Sequence, residues 1–155
     1  MATKLSDAKL TVRLIEDVEL NGRKLGNTNK YEVSGINEVT ERILTVSTTE
    51  ATILVFSSAI GAGTYVAANV KYLRFTNLDD TNFIMLTFKD EDNTEFRMKV
   101  DAGHSFIYPG DNSGGVADTI KSAGSALASG LSDLVDITVD TDTASCDVEV
   151  FVASA

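Results

Sequence analysis

One histidine, His104, and one cysteine, Cys146, stand in a chain of 155 residues. Acid–base and nucleophilic chemistry needs a base of matched pKa beside a nucleophile, so these two side chains are the first to weigh. Their settings argue against such a pair. His104 follows Gly103 at the start of a short strand and reads as a surface or strand-edge residue. Cys146 shares its parity with Val148, Val150 and Val152 and reads as a small buried hydrophobe. A single cysteine allows no internal disulfide. A single histidine excludes histidine-rich and cupin-like metal clusters.

Carboxylates are plentiful, at Asp79–Asp80, Asp90–Glu91–Asp92, and Asp140 with Asp142. Two readings are open: a calcium site, because hard oxygen ligands suit that ion, or acids that build solvated turns. None of the clusters has the spacing and glycine of an EF-hand loop. A glycosidase pair is compatible with so many acids, but the chain has no tryptophan on which a sugar ring would stack. Gly61–Ala62–Gly63 and the glycines from Gly110 to Gly115 follow no phosphate-binding pattern. The expectation is a protein that is not an enzyme, with no catalytic, cofactor-binding or metal-ligating residue and no cofactor.

The elements around these residues are strands. From Val70 to Val100 the sequence alternates apolar and polar in three runs, divided by the turns 77–82 and 89–94. A period of two puts successive side chains on opposite faces of a sheet. The block predicts a three-stranded antiparallel meander. Leu73, Phe75, Ile84, Leu86, Phe88, Phe96, Met98 and Val100 point into one core, and Tyr72, Arg74, Met85, Arg97 and Lys99 face away.

Upstream, Lys9 to Leu20 predicts a strand, a bend near Glu16–Asp17 and a short continuation, with Asn21–Gly22 as a strong turn signal and the polar stretch Asn21 to Lys30 as a loop or a ragged hairpin end. A short strand at Lys30 to Val33 is interrupted by Gly35. Glu41 to Ser47 and Thr52 to Ser57 have the spacing of a hairpin. Downstream come His104 to Tyr108, Val135 to Asp140 and Cys146 to Ala153. Residues 110–134 are rich in Ala, Ser and Gly and predict either one short helix near 116–134 or a loop. Nine or ten short strands with turns about every ten residues argue for an antiparallel sandwich or barrel. The length favours one domain, residues 1–155, with an extended N-terminal segment 1–10.

The net charge is −10. An acidic surface repels phosphate backbones and anionic bilayers, so no direct nucleic-acid or membrane partner is expected. No signal peptide and no stretch of about 20 apolar residues is visible, so folding in a cytoplasm is expected.

Three stretches carry a resemblance: GINEVTERILTVSTTEATILVF (Gly35 to Phe56), VKYLRFTNLDDTNFIMLTF (Val70 to Phe88) and the ending CDVEVFVASA. Together they resemble structural proteins of tailed-bacteriophage particles, especially those of marine and cyanobacterial phages. The resemblance covers about two thirds of the chain and brings no catalytic residue with it. It implies an all-β, jelly-roll-like antiparallel β-sandwich that decorates or cements a capsid, or sits in the tail or neck. The implied partners are the major capsid protein or other virion proteins, and further copies of the chain, a trimer above all. The implied location is the virion, assembled in a host cytoplasm. The alternative is a carbohydrate- or receptor-binding β-sandwich module of a phage tail, with Tyr65, Tyr72 and Tyr108 as an aromatic platform.

Overall fold

The structure, a computed structural model, describes residues 6–91, 93–108 and 134–155. The chain opens with four strands, β1 (Ala8–Ile15), β2 (Val18–Leu20), β3 (Arg23–Leu25) and β4 (Thr28–Ile36). They form one long ribbon. Asn21 and Gly22 both have positive φ (52° and 75°), the backbone that a tight two-residue hairpin requires. From this tip every pair is symmetrical about the turn, from Leu20–Arg23 and Val18–Leu25 back through Val12–Tyr31 to Leu10–Val33. The expected bend at Glu16–Asp17 divides β1 from β2. The Glu16 N–H donates to the Asn27 carbonyl across it at 2.9 Å. At the ribbon's base the register shifts by one residue, and Gly35 (φ 71°) takes the bulge.

The remaining strands are β5 (Glu38–Val46), β6 (Ala51–Ser57), β7 (Tyr65–Val66), β8 (Val70–Asn77), β9 (Ile84–Asp90), β10 (Glu95–Val100), β11 (Ser105–Tyr108), β12 (Leu134–Thr141) and β13 (Cys146–Ser154). One sheet has the order β11-β8-β13-β5. The other has β10-β9-β12-β6, extended by the short parallel β7. Apart from β7, all pairs are antiparallel. Consecutive strands repeatedly swap sheets, and the two four-strand orders are those of a jelly roll, two Greek keys folded into a sandwich. The expected all-β, jelly-roll-like antiparallel sandwich is therefore the fold.

The core lies between the sheets. Leu73, Phe75, Val148, Val150 and Val152 come from one side, and Ile84, Leu86, Ile137 and Val139 from the other. Phe88 stacks on Phe96 at 4.5 Å and meets Phe75 edge-on at 6.4 Å.

Two expectations are corrected. Val70 to Val100 is not a meander: β8 lies in one sheet and the β9–β10 hairpin in the other. Glu41 to Ser57 is likewise not a hairpin, because β5 pairs with β13 and β6 with β12. The reason is the same in both cases. Alternation reports which face of a strand is buried, and the inner faces of both sheets share one core. The core direction of Leu73, Phe75, Ile84, Leu86 and Phe88 is as expected. Phe96 and Met98 point the same way but lie on the edge strand β10 and stay partly exposed. The helix or loop expected near 116–134 lies outside the described residues, except that Leu134 opens β12.

Candidate functional site

The residues weighed for chemistry are scattered and structurally occupied. Cys146 begins β13, is 1% exposed, and donates weakly to the Ala144 carbonyl at 3.7 Å. Burial, reinforced by the nearby Asp79 and Asp142 carboxylates, pushes its thiol up to about 11. That suppresses the thiolate needed for nucleophilic attack. His104 is exposed in the turn before β11, its Nδ1 2.8 Å from the Ala102 carbonyl oxygen.

Of the two readings of the acids, the turn reading describes Asp79, Asp90 and Asp142. One Asp79 oxygen accepts the N–H groups of Thr81 and Asn82 at 2.8 and 2.6 Å, and these donors hold its carboxyl below the usual carboxylate range. Asp90 accepts from the Thr94 N–H and Asp142 from the Thr143 N–H, each at 2.7 Å. Asp140 pairs with Arg97 at 2.6 Å. Among the described residues no group of three or more His, Cys, Asp or Glu side chains is placed to hold a metal ion.

The loop after β8 is built on Asn77, a residue sequence reasoning read only as the start of a turn. It is fully buried. Its amide donates to the Asn82 and Val100 carbonyls at 2.8 and 3.2 Å, and its carbonyl accepts the Asp79 N–H at 3.1 Å. This local network carries the chain from one sheet across to the other.

The tyrosine platform does not form. Tyr72 is 5% exposed and meets Phe151 edge-on at 5.8 Å. Tyr65 and Tyr108 pack against the main core. A cleft of about 370 Å³ beside Phe56, Val66, Ala67 and Leu134 has Glu91 as its one titratable lining side chain among the described residues.

What covers Tyr72 is the ribbon. Val33 and Ile36 are buried with Tyr72 and Ala153, and Leu10, Val12, Tyr31, Ile107 and Phe151 pack around them. The ribbon thus lies on the outer face of the β11-β8-β13-β5 sheet as a third layer. On this ribbon face the alternation Leu10, Val12, Leu14 passes from half-buried to exposed. The distal ribbon therefore leaves the sandwich with Leu14, Ile15, Val18, Leu20 and Leu25 exposed, Ile15 at 69%. The same sheet keeps exposed apolar side chains at its β5 edge, Val39 at 55% and Ile43 at 61%. Five apolar residues at one projecting end are unusual for a free surface. Part of the signal for the ribbon was in the sequence, since Val18 and Leu25, Val12 and Tyr31, and Leu10 and Val33 lie symmetrically about Asn21–Gly22; the stretch after that turn, expected as a loop or a ragged hairpin end, instead forms β3 and the start of β4.

These features define a jelly-roll sandwich with an added, projecting β-ribbon whose distal apolar side chains are exposed. No family model matches the chain, and no curated protein matches it. It is similar to a solved structure from work describing Bacillus endospore appendages as a novel family of disulfide-linked pili. The identity is 10% and the TM-score 0.44, over 100% of this chain and 96% of that one. Likeness of that degree assigns no function.

Proposed function

We propose that this chain is a non-enzymatic structural protein of a tailed-phage virion. It serves as a capsid decoration or cement protein that works as a homo-oligomer, a trimer, bound to the major capsid protein. The observation that carries the structural role is the projecting ribbon, whose apolar residues are left unburied by the single chain. Surfaces of this kind are matched by partners in an assembly. The jelly-roll sandwich beneath it is a rigid mount held by a large apolar core. The virion assignment comes from the resemblance of Gly35 to Phe56, Val70 to Phe88 and the C-terminal stretch to phage particle proteins.

The test is direct. Particles purified through a density gradient are analysed by mass spectrometry and cryo-electron microscopy. The chain is expected at a fixed ratio to the major capsid protein, with density on the outer shell. Its absence from intact particles overturns the reading.

A further inference from the structure

We propose that Asn21, at the tip of the ribbon, is a site of spontaneous covalent modification, in which its side-chain amide is lost through attack by the Gly22 backbone nitrogen. The tip is thereby converted, one way, to aspartyl and isoaspartyl forms. The proposal goes beyond the assembly reading and does not depend on it.

The chemistry starts from the dipeptide. Asn21–Gly22 is the one Asn–Gly pair among the 155 residues. The Gly22 nitrogen gives its proton to solvent and attacks Cγ of Asn21. A bond from that nitrogen to Cγ forms, the Cγ–Nδ2 bond breaks, and the amide nitrogen takes up a proton and leaves as ammonia. The product is a five-membered succinimide, which water then opens. Addition at Cγ restores the ordinary backbone with aspartate at position 21. Addition at the main-chain carbonyl carbon leaves the backbone running through Cβ and Cγ, an isoaspartate. Water is the one co-reactant, and nothing is oxidised or reduced. Glycine favours the first step because it has no Cβ to crowd its nitrogen.

The fold leaves this pair open. Asn21 and Gly22 are both exposed, and a Cβ added to Gly22 would meet nothing within 4 Å. The ladder closes at Leu20 with Arg23, so the two turn residues stand outside it. β2 and β3 are three residues each and pair only with one another. A two-stranded hairpin standing alone is marginal in water, so the tip frays and lets Asn21 leave its left-handed backbone (φ 52°) for the geometry of ring closure. Other asparagines are held back. Asn77 is fully buried with its amide bonded at both ends. The Asn27 side-chain oxygen accepts the N–H of Thr28 at 2.9 Å, which engages the nitrogen that would attack. Asn93 shares the left-handed backbone (φ 61°), but the N–H of Thr94 after it donates to Asp90 at 2.7 Å.

The products change the tip in two ways. The distal ribbon carries Glu16, Asp17 and Glu19 against Arg23 and Lys24, and either product adds one more negative charge there. Isoaspartate also lengthens the main chain inside the turn. Turn length fixes hairpin register, so the Leu20–Arg23 and Val18–Leu25 pairs come apart and the exposed Val18, Leu20 and Leu25 lose their alignment. The sandwich core shares no residue with this hairpin and is untouched.

The test incubates the full chain at neutral and mildly alkaline pH and follows each asparagine by peptide mapping with mass spectrometry. Position 21 is expected to convert ahead of Asn27, Asn77 and Asn93, and faster at the higher pH, because the attacking nitrogen must lose its proton. Gly22→Asn, which tolerates a positive φ but places a side chain beside that nitrogen, is expected to lose most of the conversion at position 21. Aged wild-type protein is expected to show faster amide exchange in β2 and β3, with the melting temperature of the sandwich unchanged. Retention of the Asn21 amide in the folded chain while the urea-unfolded chain converts would overturn the proposal, as would conversion no faster than at the other three positions. Conversion with unaltered exchange in β2 and β3 would overturn the loss of register.

Discussion

At Glu149 a carboxylate sits 2.5 Å from the Arg74 guanidinium on the outer face of the β8–β13 pair, with Thr76 and the Phe151 ring beside the arginine. The Arg74 hydrogen bond holds the Glu149 carboxyl below its ordinary value of 4.5. A depressed folded-state pKa contributes stability above the unfolded value, and that contribution is lost as pH falls through the folded value. Acidification below about pH 4.5 is therefore expected to weaken the protein through this pair. Glu149→Gln should lower stability at neutral pH by about 1 kcal/mol or less, and its acid-side loss should be shallower than wild type. Urea unfolding across pH 3–7 checks both; parallel curves would mean that the pair does not titrate with folding. Little of this was legible in advance. Arg74 was placed on a face away from the core, but its partner comes from a strand 75 residues later. The turn acids were more legible, because Asp79, Asp90 and Asp142 bond to backbone groups within four residues.

Among the elements, the ribbon shows how local and tertiary forces divide the work. Its turn, bend and register are local: the tight Asn–Gly turn sets the tip and, with it, the register of the strands that lead from it. Its docking on Tyr72, Phe151 and Ala153 is tertiary. Gly26 joins the two halves at φ 121°, where an added Cβ would fall 2.1 Å from the Glu16 carbonyl oxygen. Gly26→Ala must shift the backbone at that joint, at a cost of about 1–3 kcal/mol. Because the joint lies in the ribbon rather than between the sheets, the expected result is faster amide exchange in β2 and β3 with the melting temperature of the sandwich nearly unchanged. A large fall in melting temperature would show instead that ribbon and sandwich unfold as one unit. The strands of the sandwich were legible within a residue or two at β9, β12 and β13, because each alternates cleanly. Their partners were not, since a period of two carries no information about which sheet a strand joins.

For the whole molecule, stability resides in the two apposed inner faces. Phe75 is fully buried and packs edge-on against Phe88 from the opposite sheet. Phe75→Ala is expected to cost about 3–5 kcal/mol, read as a lower urea midpoint with an unchanged slope. A loss below about 1 kcal/mol would contradict its place at the centre of the core. The sequence by itself determined the fold class. Alternation, turn chemistry and the absence of any strand–helix–strand rhythm leave an antiparallel sandwich or barrel, because a strand's buried parity and its turns are written in neighbouring residues. The tertiary structure decided the jelly-roll order, the crossing of β8 to β9 between sheets, and the seat of the ribbon on Tyr72. Those depend on contacts between residues far apart in the chain. Burial of Tyr72 under Val33 and Ile36, and exposure of Ile15 and Ile43, are set by how whole elements pack. A hydrophobic residue in a strand looks the same in sequence whether its cover comes from its own chain or from a second copy.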